Sequence, residues 1–202
     1  RVDPFFLATT SARTLALLAA DILRVGVLHP GLVAWRASRT LRRAWNGDAP
    51  RRFSQVFSAR RSGVAAEAHA QGDTPWCILP RVARELRLRK GGVFVDVGCG
   101  DGMAAAALAL ITGASGYGVE PLEWASSLGR VPLETVTAAY SGWTMFGEPE
   151  RLAIASALGR MPVGSRVVTV THPMRGGRHR PVHSWHATFP WGQAQLHLHV
   201  AE

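Results

Sequence analysis

The hydrophobic rhythm of the 202-residue chain changes near residue 74. Before that point apolar residues recur at helical spacing. Leu15, Leu18, Ile22 and Val25 form one stripe behind Ser11 as an N-cap, so the spacing predicts a helix over residues 11–28, closed by Pro30-Gly31. A second helix is predicted over residues 33–45, with Arg36, Arg39 and Arg43 on one face and Asn46-Gly47-Asp48 and Pro50 at its end. Residues 50–73 read as a basic, alanine-rich connection.

From Thr74 strands and helices alternate. Pro75 opens a helix carrying Ile78, Leu79, Val82 and Leu86, and Lys90-Gly91-Gly92 breaks it. Val93 to Val97 is a nearly continuous apolar run, the pattern of a strand buried on both faces of a parallel sheet. A glycine turn at residues 98–102, a helix over 103–111 and a strand over 117–119 follow. Further strands are predicted at 135–140 and 166–171, with a helix at 148–158 between them. Residues 182–189 and 193–200 alternate on either side of Pro190-Trp191-Gly192, which predicts a closing antiparallel hairpin. The expected architecture is an α/β domain over residues 74–202 behind a basic helical N-terminal extension over residues 1–73, acting as lid or docking arm.

Charge sharpens this division. The net charge of +9 sits almost wholly in residues 1–61, where 11 arginines face Asp3, Asp21 and Asp48. Two cysteines, Cys77 and Cys99, are too few for a disulfide scaffold, so a reducing, cytoplasmic setting is the default. Arg13, Asp21 and Arg24 interrupt the most apolar stretch, residues 5–35, which argues against a spanning helix or a signal peptide there. The arginine-rich arm leaves a place at the periphery of a membrane open.

The chemistry concentrates in Asp96-Val97-Gly98-Cys99-Gly100-Asp101-Gly102. Glycines there permit a tight strand-to-helix turn with backbone close to a ligand. The helix N-terminus beyond offers unpaired N–H groups and a dipole that favours a carboxylate. Gly118-Val119-Glu120 follows, with Glu120 24 residues after Asp96. An acidic side chain at the end of a second strand can accept hydrogen bonds from both hydroxyls of a ribose. A dinucleotide site of the G-x-G-x-x-G kind needs glycine at 103 after Gly98 and Gly100, but position 103 is Met.

These residues resemble motif I of the class I, Rossmann-like S-adenosylmethionine-dependent methyltransferases, and the resemblance covers about residues 74–202. It implies a seven-stranded-type sheet closed by an antiparallel hairpin, with S-adenosylmethionine as cofactor. Asp96, Gly98, Cys99, Gly100, Gly102 and Glu120 are then its binding residues, with Asp96 at the amino end of the ligand and Glu120 at the ribose. Only 14 residues separate Glu120 from Thr135, where that fold places a helix, a third strand and another helix. Either that edge of the sheet is lacking or chain around residues 129–132 is absent, and the family's adenine-binding acid has no counterpart here.

The loop after the fourth strand of that fold faces the transferring methyl, which makes Tyr140, Ser141 and Trp143 the candidates for the acceptor site, with His172 as general base. Packing of Trp143 and Phe146 beneath the sheet edge is the competing reading. The loop lacks the Asn/Asp-Pro-Pro-Tyr/Phe motif of many enzymes that methylate base or glutamine nitrogens. His183, His186, His197 and His199 include a His-x-His pair that points two rings to one face, yet no acidic or cysteine ligand joins them in the hairpin, and no metal is expected. The reading that follows is methyl transfer to an unidentified acceptor, with a small molecule in an apolar pocket ranked first. A protein (lysine) or RNA acceptor docked through Arg36, Arg39 and Arg43 is the alternative, and a non-catalytic cofactor-binding module is the alternative from another class. An anionic membrane surface could draw on the same arginines.

Overall fold

The computed structural model describes residues 4–45, 74–100, 102–119 and 128–202. Its centre is the strand β1 (Val93–Val97), buried from Phe94 onward. It pairs in parallel with β2 (Ser115–Val119) on one side and β3 (Ala138–Ser141) on the other. β4 (Arg166–Val170) continues the parallel set beside β3, and β6 (Gly192–Ala201) and β5 (His179–Phe189) close the sheet antiparallel, in the order β2-β1-β3-β4-β6-β5. Four parallel strands, three of them buried and β2 exposed at the edge, followed by a hairpin, make the expected α/β architecture.

Alternation of side chains divides the core between the two faces of the sheet. One face carries Phe94, Tyr140, Val168, Leu196 and Leu198, covered by α3 (Leu79–Glu85) and α4 (Met103–Thr112). The other carries Val95, Val97, Ala139 and Val167 against Ile154 and Leu158 of α5 (Glu148–Leu158). The N-terminal helices, α1 (Pro4–Asp21) and α2 (Pro30–Trp45), join the first face. Val25 and Leu32 belong to the same apolar cluster as Trp76 and Phe94, each burial contributing about 1.5–3 kcal/mol.

Some boundaries differ from the sequence pattern for local reasons. β3 begins three residues late because residues 133–135 form a 3-10 turn, with the Thr135 amide donating to the Pro132 carbonyl. The first helix runs on into a π-helical turn (Ile22–Gly26), where a Cβ on Gly26 would lie 2.6 Å from Val33 Cγ2. Only glycine lets that turn press so closely on α2. The connection at 50–73 lies outside the described residues. Among the described residues β2 is an edge of the sheet, and residues 128–136 place Leu128, Val131, Leu133 and Val136 under the second face instead.

A buried carboxylate joins the helical pair to the sheet domain. Asp21, 1% exposed, accepts from Arg36 Nη1 at 2.7 Å and from the Cys77 amide at 2.8 Å, while the Arg36 guanidinium lies 4.7 Å over the Trp76 ring. An isolated charge in an apolar helix is costly unless so paired. Asp21→Ala should therefore lower folding stability by about 1–3 kcal/mol, since the Cys77 amide loses its acceptor. Chemical denaturation measures this, and a loss below about 0.5 kcal/mol would show that the joint contributes little.

At the other end of the sheet two histidines are held neutral. His179 Nε2 meets Ser165 Oγ at 3.2 Å, and His199 Nε2 accepts from the Met174 amide at 3.0 Å. Burial pushes both down to about 4, aided at His179 by Arg178. Both titrate near the ordinary 6.5 once unfolded, so the unfolded chain binds more protons below that pH. Their contribution to stability is complete above 6.5 and is lost as pH falls from there toward 4. Melting temperature should fall over that window, and His199→Gln, which keeps an acceptor for Met174, should flatten the slope.

Candidate functional site

The carboxyl ends of β1, β3 and β4 meet at one edge of the sheet, where open α/β folds bind their ligands. The turn after β1 governs the geometry there. Gly98, Gly100 and Gly102 have φ of +84°, +57° and +76°, a region L side chains rarely adopt, so the chain reverses into α4 within five residues. The Val119 carbonyl at the end of β2 accepts from both the Gly98 amide (2.7 Å) and the Cys99 amide (3.3 Å), and Gly102 N donates to Cys99 O at 2.8 Å. The turn is thereby fixed to the neighbouring strand.

Space around these glycines is uneven. Among the described residues a Cβ on Gly100 or Gly102 would meet no atom within 4 Å. At Gly98 it would lie 2.9 Å from Phe146 Cζ, so the aromatic ring of the loop after β3 packs directly on the turn. Cys99, half-buried, leans over β2, where a Cβ on Gly118 would stand 2.8 Å from its Sγ. The N-terminus of a ten-residue helix, entered through glycines, suits the carboxylate end of an amino-acid ligand. Glu120, the expected ribose acceptor, lies outside the described residues.

Asp96 is 1% exposed and shares a row across the sheet with Gly118 and Tyr140. Tyr140 is also buried. Its hydroxyl stands 3.0 Å from Thr74 Oγ1, and burial, with Asp96 adding to it and Thr74 opposing, pushes the phenol far above its ordinary value. It is a neutral hydroxyl at any physiological pH. Ser141 donates to the Val97 carbonyl at 2.7 Å and locks the ends of β3 and β1 together. Trp143 is 1% exposed and lies in the second-face cluster with Val97 and Phe146, across the sheet from Tyr140.

His172 follows β4 and is half-buried. Burial first, then Arg151, His197 and Arg175, hold its imidazole below the ordinary 6.5, in the form that accepts a proton. One feature of this edge was not legible from the motifs. Thr171 has φ +74°, rare for a β-branched residue, and its hydroxyl meets Thr144 Oγ1 at 2.7 Å while its amide donates to Gln195 O at 2.7 Å. The β3 loop, the β4 loop and β6 are thus tied at one strained residue, the kind of backbone that concentrates at functional sites. Among the described residues no group of three or more His, Cys, Asp or Glu could hold a metal ion.

No family description and no curated protein matches this chain. Solved structures do resemble it. TrmN from Thermus thermophilus superposes with a TM-score of 0.51 at 12% identity, over 67% of this chain and 52% of that one. An RNA methyltransferase from Salinibacter ruber, in complex with S-adenosyl-L-homocysteine, gives 0.50 at 18% identity, over 64% of this chain and 94% of that one. The chain thus spans about half the length of the Thermus protein and nearly all of the Salinibacter one. Taken with the strand order and the glycine turn, these likenesses identify the fold as that of the class I, Rossmann-like methyltransferases.

Proposed function

We propose that the chain is an S-adenosylmethionine-dependent methyltransferase. The reading rests on one observation: a turn of three positive-φ glycines between β1 and α4, at the ligand-binding edge of a class I fold. Asp96 beside it supplies a buried acceptor for the amino end of the ligand, and Glu120, one residue past β2, the acceptor for the ribose. Bound there, S-adenosylmethionine supplies an electrophilic methyl on a cationic sulfonium.

The residues of this chain then orient the acceptor and keep the site dry. Phe146 against Gly98 forms a wall, and Ser141 holds the floor between β1 and β3. Trp143, buried beneath the β3 loop, supports that wall from the second face. Where the acceptor nucleophile carries a proton, His172 is the neutral group at this edge that can take it. Tyr140, a permanently protonated hydroxyl, orients through hydrogen bonding and not by ionising. The acceptor favoured is a small molecule, enclosed between the β3 loop and the N-terminal helices. Arg36, one of the three arginines considered for gripping RNA or a protein, is spent on Asp21 and Trp76, which favours the enclosed pocket over a macromolecular dock.

Asp96→Ala and Glu120→Ala should each weaken binding of S-adenosylhomocysteine by about tenfold or more, because each removes a charge-assisted acceptor worth about 1.5–3 kcal/mol. Calorimetry decides it, and unchanged affinity in both variants places the cofactor elsewhere. Methyl transfer itself is tested by turnover of labelled S-adenosylmethionine against separate pools of metabolites, peptides and RNA. Label is expected in the metabolite pool. Label in peptide or RNA instead would overturn the small-molecule reading, and binding without transfer to any pool would overturn the enzyme reading.

A further inference from the structure

The helical pair is apolar on its outward side as well as its inward one. Val25 and Leu32 are buried against the sheet domain, yet Leu15, Leu23, Val27, Leu28 and Leu41 are 65–74% exposed, and Ile22 40%. Leu15, Ile22 and Leu23 are spaced i, i+7, i+8 along one helix, and Val27 and Leu28 carry the surface around the elbow into α2. So many large apolar side chains on one exposed element mark an interaction surface.

The charge around it selects the partner. Residues 4–45 hold six arginines against Asp21 alone, and Asp21 is already neutralised by Arg36, so the element itself carries a strongly positive charge. A second copy of the chain would bring an equally positive surface against it, and the phosphates of RNA give the exposed leucines nothing to bury in. A bilayer with anionic headgroups meets both requirements, since interfacial binding scales with buried apolar area and with attraction of basic residues to acidic lipid. Among the described residues no helix is long and apolar enough to cross a membrane, so the element would lie on the surface.

We propose that α1, α2 and the elbow between them form a docking surface for an anionic lipid bilayer. Asp21 joins the element to Cys77, and three residues before Cys77 the hydroxyl of Thr74 meets that of Tyr140 near the carboxyl end of β3. Docking therefore sets the bilayer at the end of the sheet that carries the candidate site. This inference does not depend on the methyltransferase reading, and its test needs no turnover.

The full chain is floated with vesicles of phosphatidylcholine alone and with vesicles containing about 30% phosphatidylglycerol. Binding is expected to be at least about tenfold stronger to the anionic vesicles and to fall as salt is raised. The exposed-site variant Leu23→Asp/Leu28→Asp should lose that binding by about tenfold or more while its melting temperature stays unchanged. Equal binding by variant and parent, or no preference for the anionic vesicles, overturns the proposal. So does a parent that sediments as a dimer which the same variant dissociates, because the apolar face then belongs to a second copy.

Discussion

Much of this molecule hangs on the Val119 carbonyl. It accepts from two successive amides, Gly98 and Cys99, and so fixes where β1 ends and how the chain enters α4. The positive-φ glycines supply the freedom to turn there, but freedom alone gives a loose loop; the shared acceptor gives it one shape. The close seat of Phe146 on Gly98 and the burial of Asp96 both follow from that shape. Changing the end of β2 by one residue would point the carbonyl to the other side of the strand, away from β1, and release the turn.

The strand pattern was legible in the sequence because most strands announce themselves by burial. Val93 to Val97 is apolar on both faces, and the closing hairpin alternates around a Pro-Trp-Gly turn, so both appear in the structure near where the pattern put them. The shortfall of chain between Glu120 and Thr135 was equally readable, and β2 does stand at the sheet edge among the described residues. Side-chain partnership was not readable. Asp21 looked like an interruption in an apolar helix, and only tertiary packing makes it the acceptor for Arg36 and for an amide 56 residues away. Thr171 carried no motif, and its left-handed backbone is set by contacts to Thr144 and Gln195 that come from distant parts of the chain.

The acceptor-side residues show why a position on a strand says less than a position in a core. Tyr140 and Ser141 are neighbours in sequence and therefore face opposite sides of the sheet, one toward Thr74 and one toward the Val97 carbonyl. Trp143 turns into the second-face cluster, where the ring fills volume next to Val97. A sequence reading can place these residues at the right edge, but it cannot divide them between surface and support. That division depends on which apolar groups fill the layer beneath.

The carboxylate of Asp21 has a second effect, on sulfur. Burial raises the Cys77 thiol to about 11, and the charge and hydrogen bond of Asp21 add to that rise. A thiol so far above neutrality is almost never thiolate, which is the form that alkylating agents and oxidants attack. The same contact that seats the helical pair therefore keeps Cys77 chemically silent. Were the pair to swing away, the thiol would lose both its cover and its anionic neighbour and return toward ordinary reactivity.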